Sequence, residues 1–502
     1  MKISASIYEF SEPSKTSSSR DLWQDLCNAV VLEYSGYYRL QPTMHFKIFL
    51  KDKKVVSPTN VLIRSRVLMG SIRRSAGKPA LLDISVGNHF SVIGSDFEAI
   101  ETSAFTAEAA WINSVSTITL LEHVELTNLF ILHANKSGWK FTPANLVFQK
   151  LPAAKMKNRA AEFIFGEVSR RELLKKPYIN IPDDVNFVVG CSDIEKAKIV
   201  SERLRDSVAA LMGRGSSRMP GVTYGSQLSP EDVNLWVLED SCDLSFHPAI
   251  RARMSAAEKR NVKFKICKFS TSRNNYALAN ITYDMLLIAG MVPYVPVSRG
   301  LDICSVDAGH CRERKMSRWV CAESNMMKGA LKIKTFDTAL AEHIPAELYD
   351  QLWPEAKDTL FCRDGRFSKE TQLFKDRARL DGRELIQCKK SPRAVMWQED
   401  TDTLSACMPG DCVIDPHGEI LLQTMVSKPR NYIRPLRLEV HGSDKIEIAT
   451  TFFQHQAFPG LSLTSSSKLP GSLYFSDLVS KLTESGWTKA IGRGWGLDNI
   501  VP

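Results

Sequence analysis

LDICSVDAGH, residues 301 to 310, decides how this chain is read. Leu301, Ile303, Cys304 and Val306 form an apolar run between Arg299-Gly300 and Ala308-Gly309, the pattern of a central strand buried on both faces of a sheet. The run ends on a carboxylate, Asp307. Open α/β sheets place their chemistry at the carboxyl ends of such strands, which makes Asp307 a candidate functional residue. Further on, TLFCRDGRF (359–367) repeats the arrangement, with Leu360 and Phe361 leading to Arg363, Asp364 and a glycine turn. Two strands are thus expected to deliver an aspartate each to one edge.

A third element is KLPGSLYFSDLVSKL, residues 468 to 482. Pro470, Gly471 and Ser472 punctuate its start, and Phe475, Leu478, Val479 and Leu482 follow at i, i+3, i+4 and i+7, the stripe of an amphipathic helix packed on a sheet. Asp477 lies at the border of that stripe. Strand, strand and late helix, each with an aspartate, is the layout by which ribonuclease-H-like folds collect carboxylates around magnesium. Hard divalent cations want several oxygen ligands, and they stabilise the attacking and leaving oxygens of a phosphodiester.

These stretches resemble the PIWI domain of Argonaute proteins. Asp-Ala-Gly-His at 307–310 is similar to its first catalytic motif, Arg-Asp-Gly at 363–365 to its second, and the segment from Pro470 to Val479 to its last, with Asp477 in the place of the family's terminal Asp or His. PRNYIRPLRLEV (429–440) resembles the strand that bears the family's Arg-Pro. The resemblance implies Asp307, Asp364 and Asp477 as catalytic and metal-binding residues for Mg²⁺ or Mn²⁺. It also implies a glutamate from a segment between the first two strands. Glu342, in a loop before a helix, is the favoured candidate, and Glu347 is the alternative, although a carboxylate at a helix start is also favoured there by the dipole. His310 is expected either to support the site or to serve a structural role at the strand end.

Composition permits this reading without demanding it. A chain of 502 residues, 44% apolar and 24% charged, has room for two to four globular domains, and a net charge of +9 is compatible with an anionic partner. The 11 cysteines include no CxxC pair, and Cys304 with Cys311 or Cys407 with Cys412 lack the clustering of a zinc site, so reduced thiols are expected. MKISASIYEF has no apolar signal core, and MLLIAGMV (285–292) is too short to span a bilayer. A cytoplasmic protein with no membrane partner is the expectation.

The chain is read as α/β throughout, in three parts. Residues 1–150 form a mixed α/β N-terminal region of unclear role, with a short helix near Leu22 to Val31 and strand-like runs at 44–50, 60–70 and 128–134 (NLFILHA). The PAZ domain of long Argonautes is expected to be absent, which resembles the short prokaryotic members. Residues 151–298 are expected to be a Rossmann-like MID domain, because DDVNFVVGCSD (183–193) reads as a buried strand and glycine turn leading into a helix whose Ile194, Ala197, Val200 and Leu204 keep helical spacing. NLWVLED (234–240), VKFKICKF (262–269) and NNYALANITYDMLLIAGMVPYVP (274–296) complete it. Residues 299–502 are the ribonuclease-H-like PIWI domain.

In many Argonautes the MID domain grips a guide's 5′ phosphate with converging polar and cationic donors. Laid on that pattern, His247 takes the aromatic position, Arg251 the first basic one, Lys265 lies near the Gln, Asn280 keeps its place, and Asp284 stands where a lysine is expected. Lys263 joins Arg251, Arg253, Lys259, Arg260, Lys265 and Lys268 in a basic stretch suited to a nucleic-acid backbone or to a solvated face. The function implied is guide-directed binding of RNA or DNA and recognition of a complementary target strand. In short Argonautes this serves defence through an associated TIR, sirtuin-type or nuclease effector; the alternative is a metal-dependent endonuclease that slices the guide-paired target.

Overall fold

The computed structural model describes residues 2–11, 24, 26–28, 37–41, 45–94, 106–213, 219–225, 229, 231–240, 263–297, 300, 302–311, 315–328, 330–341, 343–354, 358–365, 371–400, 403–425, 434–458 and 468–480. The chain divides into two compact units, one of residues 1–150 with 389–439 and the other of 151–388 with 440–502.

In the second unit a parallel sheet comes first. Strand β1 (Phe187–Gly190) is followed by helix α1 (Ile194–Met212), then β2 (Val222–Gly225), β3 (Val233–Leu238), β4 (Phe264–Lys268) and helix α2 (Asn275–Ile288). The order is β2-β1-β3-β4, with every pair parallel, the Rossmann-like arrangement expected here. Asp193 starts α1 by accepting from the amides of Glu195 and Lys196, and Gly213 ends it at φ +93°, a backbone conformation that suits glycine. The buried stripe Ala197, Val200, Leu204 and Val208 packs against Phe187 and Val189 of β1. Leu204 is fully buried, so Leu204→Ala costs about 2–5 kcal/mol at such a site.

The mixed sheet follows. Strands β5 (Asp302–Cys311), β6 (Met316–Asn325) and β7 (Ala330–Ala339) are antiparallel neighbours, whereas β8 (Thr359–Asp364) and β9 (Leu385–Lys389) run parallel to β5. Their order is β7-β6-β5-β8-β9. Helices α3 (Thr371–Leu380), α4 (Lys445–Gln454) and α5 (Gly471–Ser480) complete this half. The result is the ribonuclease-H-like sheet anticipated from the aspartate-bearing strands. One expectation needs correction: β5 does not end at Asp307. Its hairpin with β6 continues to the Cys311–Met316 pair, and what stops near Asp307 is the parallel pairing with β8, whose last rung is Val306 with Arg363.

Besides a three-stranded sheet of Lys2–Ala5, Met396–Asp400 and Thr403–Ala406, the first unit contains a six-stranded antiparallel sheet with helices. Its order is Tyr37–Gln41, His45–Val56, Leu62–Arg73, Ala80–Val92, Ile7–Ser11 and Lys140–Pro143. Residues 128–134, expected as a strand, lie inside the helix Leu120–Lys136. Thr119 caps that helix by accepting from the Glu122 amide, and Leu126, Phe130 and Ala134 pack onto Phe46, Leu68 and Leu82 of the sheet. Within NLFILHA itself Phe130 and Ala134 are buried while Leu132 is 49% exposed, the helical spacing rather than strand alternation, which would bury Leu132 with them. A buried ionic cluster also lies in this unit. Arg73 is 3.0 Å from Asp83, 2.7 Å from Asp415 and 3.2 Å from Glu419, while Arg437 is 2.7 Å from Asp83 and 3.0 Å from Glu419.

Candidate metal centre

Alternation along β5 sorts its side chains onto two faces. Cys304 and Val306 enter an apolar layer with Trp319, Cys321, Phe361 and Phe374. Ser305 and Asp307 turn to the other face, where α5 lies: the Ser305 and Ser472 hydroxyls are 2.7 Å apart, and Phe475 and Val479 of α5 pack with Val320 and Ala322 of β6. Since Val306 is level with Arg363 in the last rung between the two parallel strands, the next residues, Asp307 and Asp364, stand at one level just past that rung. Gly365 then turns the chain at φ +79°, with its amide donating to the Cys388 carbonyl at 2.7 Å.

Asp477 arrives from α5. A carboxylate oxygen from each of Asp307, Asp364 and Asp477 lies within 4.8 Å of the other two. Asp307 is 9% exposed, and its two oxygens are oriented separately: Oδ1 accepts from the Ala308 amide at 2.8 Å, and Oδ2 from the Ser480 hydroxyl at 3.4 Å.

This donor set fits a hard divalent cation. Two oxygens bound to one ion at about 2.1 Å are themselves about 3–4 Å apart, so small side-chain rotations bring all three carboxylates onto one Mg²⁺ or Mn²⁺. Three carboxylates so close are a natural set of ligands for one such cation.

The other anticipated residues are distributed as follows. Glu342, His247 and Arg251 lie outside the described residues, as do Arg253, Lys259 and Arg260. Ala341, next to Glu342, is anchored: its amide donates to the Ser317 hydroxyl at 2.9 Å, and that hydroxyl is 2.8 Å from His310 Nδ1. His310 therefore departs from a supporting role at the carboxylates. It sits on the opposite face, edge-on to Trp319 at 6.4 Å. Glu347 is exposed in the short 3-10 helix Ala346–Leu348 and is not among the gathered carboxylates. Lys263 is half-buried and Asn280 lies on α2. Lys265 is only 5% exposed, and its ammonium meets the Asp284 carboxylate at 2.6 Å. That contact removes Lys265 from the exposed basic face expected of it, because a buried ammonium must be paired.

A second group of ligand-type side chains escaped sequence reasoning. Cys304, Cys321 and Glu323 come together on the apolar face of β5 and β6, the two sulfurs 3.4 Å apart. The contact with Cys321 and then burial push the Cys304 thiol well above the ordinary cysteine range, so it stays protonated and packs as an apolar group. Strand register, not sequence spacing, creates this group: Cys304 is level with Glu323.

No protein-family model and no curated protein sequence matches the chain. Solved structures do. Clostridium butyricum Argonaute bound to a guide DNA and a 19-mer target DNA is similar over 95% of this chain and 87% of that one, with TM-score 0.71 and 12% identity. The fold is that of the Argonautes. Kluyveromyces polysporus Argonaute with a guide RNA is similar over 95% of this chain and 82% of that one, with TM-score 0.65 and 10% identity. Marinitoga piezophila Argonaute in complex with 5′ OH guide RNA and target DNA is similar over 93% and 85%, with TM-score 0.64 and 10% identity. Within the Argonaute fold the Rossmann-like sheet occupies the MID position, and the mixed sheet with the three aspartates occupies the PIWI position.

Proposed function

We propose that this protein binds a guide strand, recognises a complementary target, and uses Asp307, Asp364 and Asp477 to hold Mg²⁺ or Mn²⁺ for cleavage of the paired target strand. The observation that carries this reading is the convergence of the three carboxylates on one face of a ribonuclease-H-like sheet. The similar Argonaute structures contain guide DNA with target DNA, or guide RNA, which supports the guide and target as partners. A bound divalent cation would polarise the phosphoryl oxygens and lower the pKa of an attacking water.

The chain's own residues supply the platform. Strands β5 and β8 set Asp307 and Asp364 at one level, and α5 brings Asp477 over them. Glu342, on the segment that follows the anchored Ala341, is the proposed fourth carboxylate. His247, Arg251, Lys263 and Asn280 are the proposed guide contacts of the MID half, with Lys265 acting there through its pair with Asp284.

The test is a guide-loaded assay with a labelled complementary strand in Mn²⁺ and in EDTA. Cleavage in Mn²⁺ alone, lowered at least about a hundredfold by Asp364→Ala, is expected. Normal target binding with no cleavage in any divalent cation overturns the nuclease reading and transfers the activity to an associated effector.

A further inference from the structure

Both oxygens of Asp307 are approached by donors from the chain itself. The Ala308 amide donates to Oδ1 at 2.8 Å, and the hydroxyl of Ser480, at the end of α5, lies 3.4 Å from Oδ2. Ser480 is 2% exposed, and its hydroxyl also lies 3.1 Å from the carbonyl of Asp477, one helical turn back. A single side chain thus links the carboxylate of one proposed ligand to the backbone of another, from two elements 173 residues apart in sequence.

We infer that Ser480 is a positioning residue that holds the Asp307 carboxylate toward Asp364 and Asp477 in readiness for a divalent cation; this rests on the metal reading above. The physical need is plain. Neighbouring carboxylates repel, and an aspartate held on one oxygen alone relieves that repulsion by rotating about its side-chain torsions to another staggered position. A hydrogen bond to the second oxygen resists the rotation. Groups behind the metal ligands orient them in this way, and their loss typically weakens metal affinity about 10–100-fold.

A serine near a helix end has a blander occupation, which is to donate back to a carbonyl of its own helix. Ser476 does so in the same helix: it is fully buried and donates to the Leu473 carbonyl at 3.1 Å. Ser480 differs by having the carboxylate within reach as well. The two serines therefore make an internal comparison.

The experiment uses the full chain and Mn²⁺ alone, with affinity read by calorimetry and by the Mn²⁺ electron paramagnetic resonance signal, and with thermal melting in EDTA as the folding control. Ser480→Ala is expected to weaken Mn²⁺ binding about tenfold while its metal-free melting temperature stays with that of Ser476→Ala. Ser480→Thr, which keeps the hydroxyl, should return affinity to within about threefold of wild type. Unchanged Mn²⁺ affinity in Ser480→Ala overturns the inference, as does an equal loss in Ser476→Ala, which would assign the effect to helix packing. Wild-type protein that binds no Mn²⁺ overturns the metal reading itself, a result distinguishable from the other two.

Discussion

Two acid-rich clusters in this chain are built on opposite plans. In the first unit Asp83, Asp415 and Glu419 are brought together by the guanidinium groups of Arg73 and Arg437, which contact the carboxylates at 2.7 to 3.2 Å. In the second unit Asp307, Asp364 and Asp477 gather their oxygens on one another within 4.8 Å. The first plan gives every carboxylate at least one guanidinium partner inside the protein. The second gathers three carboxylates where a strand pair and a helix meet. What distinguishes the two clusters is the group each carboxylate is set against: a guanidinium in the first, the oxygens of its fellow carboxylates in the second.

The largest expected effect is in the closed cluster. Arg73→Met leaves the buried Asp83 and Asp415 and the half-buried Glu419 to one guanidinium, and urea denaturation should show a loss of about 3–5 kcal/mol. A loss below about 1 kcal/mol would mean that the guanidinium is not what the carboxylates depend on and would blur the comparison.

Asp307→Asn should act in the reverse sense. In EDTA it relieves mutual repulsion and leaves stability unchanged or raised by on the order of 1 kcal/mol. In Mn²⁺ it should forfeit the stabilisation that wild type gains, which at a hundredfold excess over Kd is about 2.7 kcal/mol. Equal stabilisation of both proteins by Mn²⁺ would break the contrast.

Acid separates the clusters differently. Burial alone would raise the Asp83 carboxyl, but Arg437 and Arg73 outweigh it and hold the group below the usual carboxylate range. A depressed carboxyl contributes stability above its unfolded pKa and loses it as pH falls through the folded one, so this contribution should vanish only below about pH 4. His123 titrates earlier. Burial, reinforced by Arg434, lowers it to about 3. The unfolded chain therefore binds a proton that the folded chain refuses between about pH 6.5 and 3, and stability should fall by about 1.4 kcal/mol per pH unit there. Stability curves of His123→Phe should lack that slope.

The smallest effect concerns the pair on the MID side. Lys265 and Asp284 already answer each other, so guides with 5′-phosphate and 5′-hydroxyl ends should differ in affinity by less than about tenfold. Asp284→Ala should widen the difference in favour of phosphate by releasing the Lys265 charge. A strong phosphate preference in wild type would show that the guide's end is met elsewhere.

Local signals carried much of this fold. Asp302–Cys311 is a strand because apolar residues crowd its first half, α1 begins at Asp193 because that side chain caps it, and α5 follows from its punctuated start. All three aspartates were legible, since each stands beside such a signal and the family resemblance orders them. The run at 128–134 misled because seven apolar-rich residues cannot declare their period; packing on the sheet made them helix. Of the two roles open to His310 the structural one remains, because three residues from Asp307 along a pleated strand is an odd separation and places it on the alternate face.

The sequence alone determined the α/β class, the elements with clear caps or punctuation and the candidate carboxylates, because periodicity, caps and turns act over a few residues. Only the tertiary structure decided which distant groups meet. Ser480 reaches Asp307, Lys265 closes on Asp284, and Arg73 and Arg437 join Asp83 to Glu419. Cys304 lies against Cys321. Such meetings depend on strand register and on the rotation of a helix over a sheet. These are set by the packing of the whole core, and no spacing along the chain encodes them.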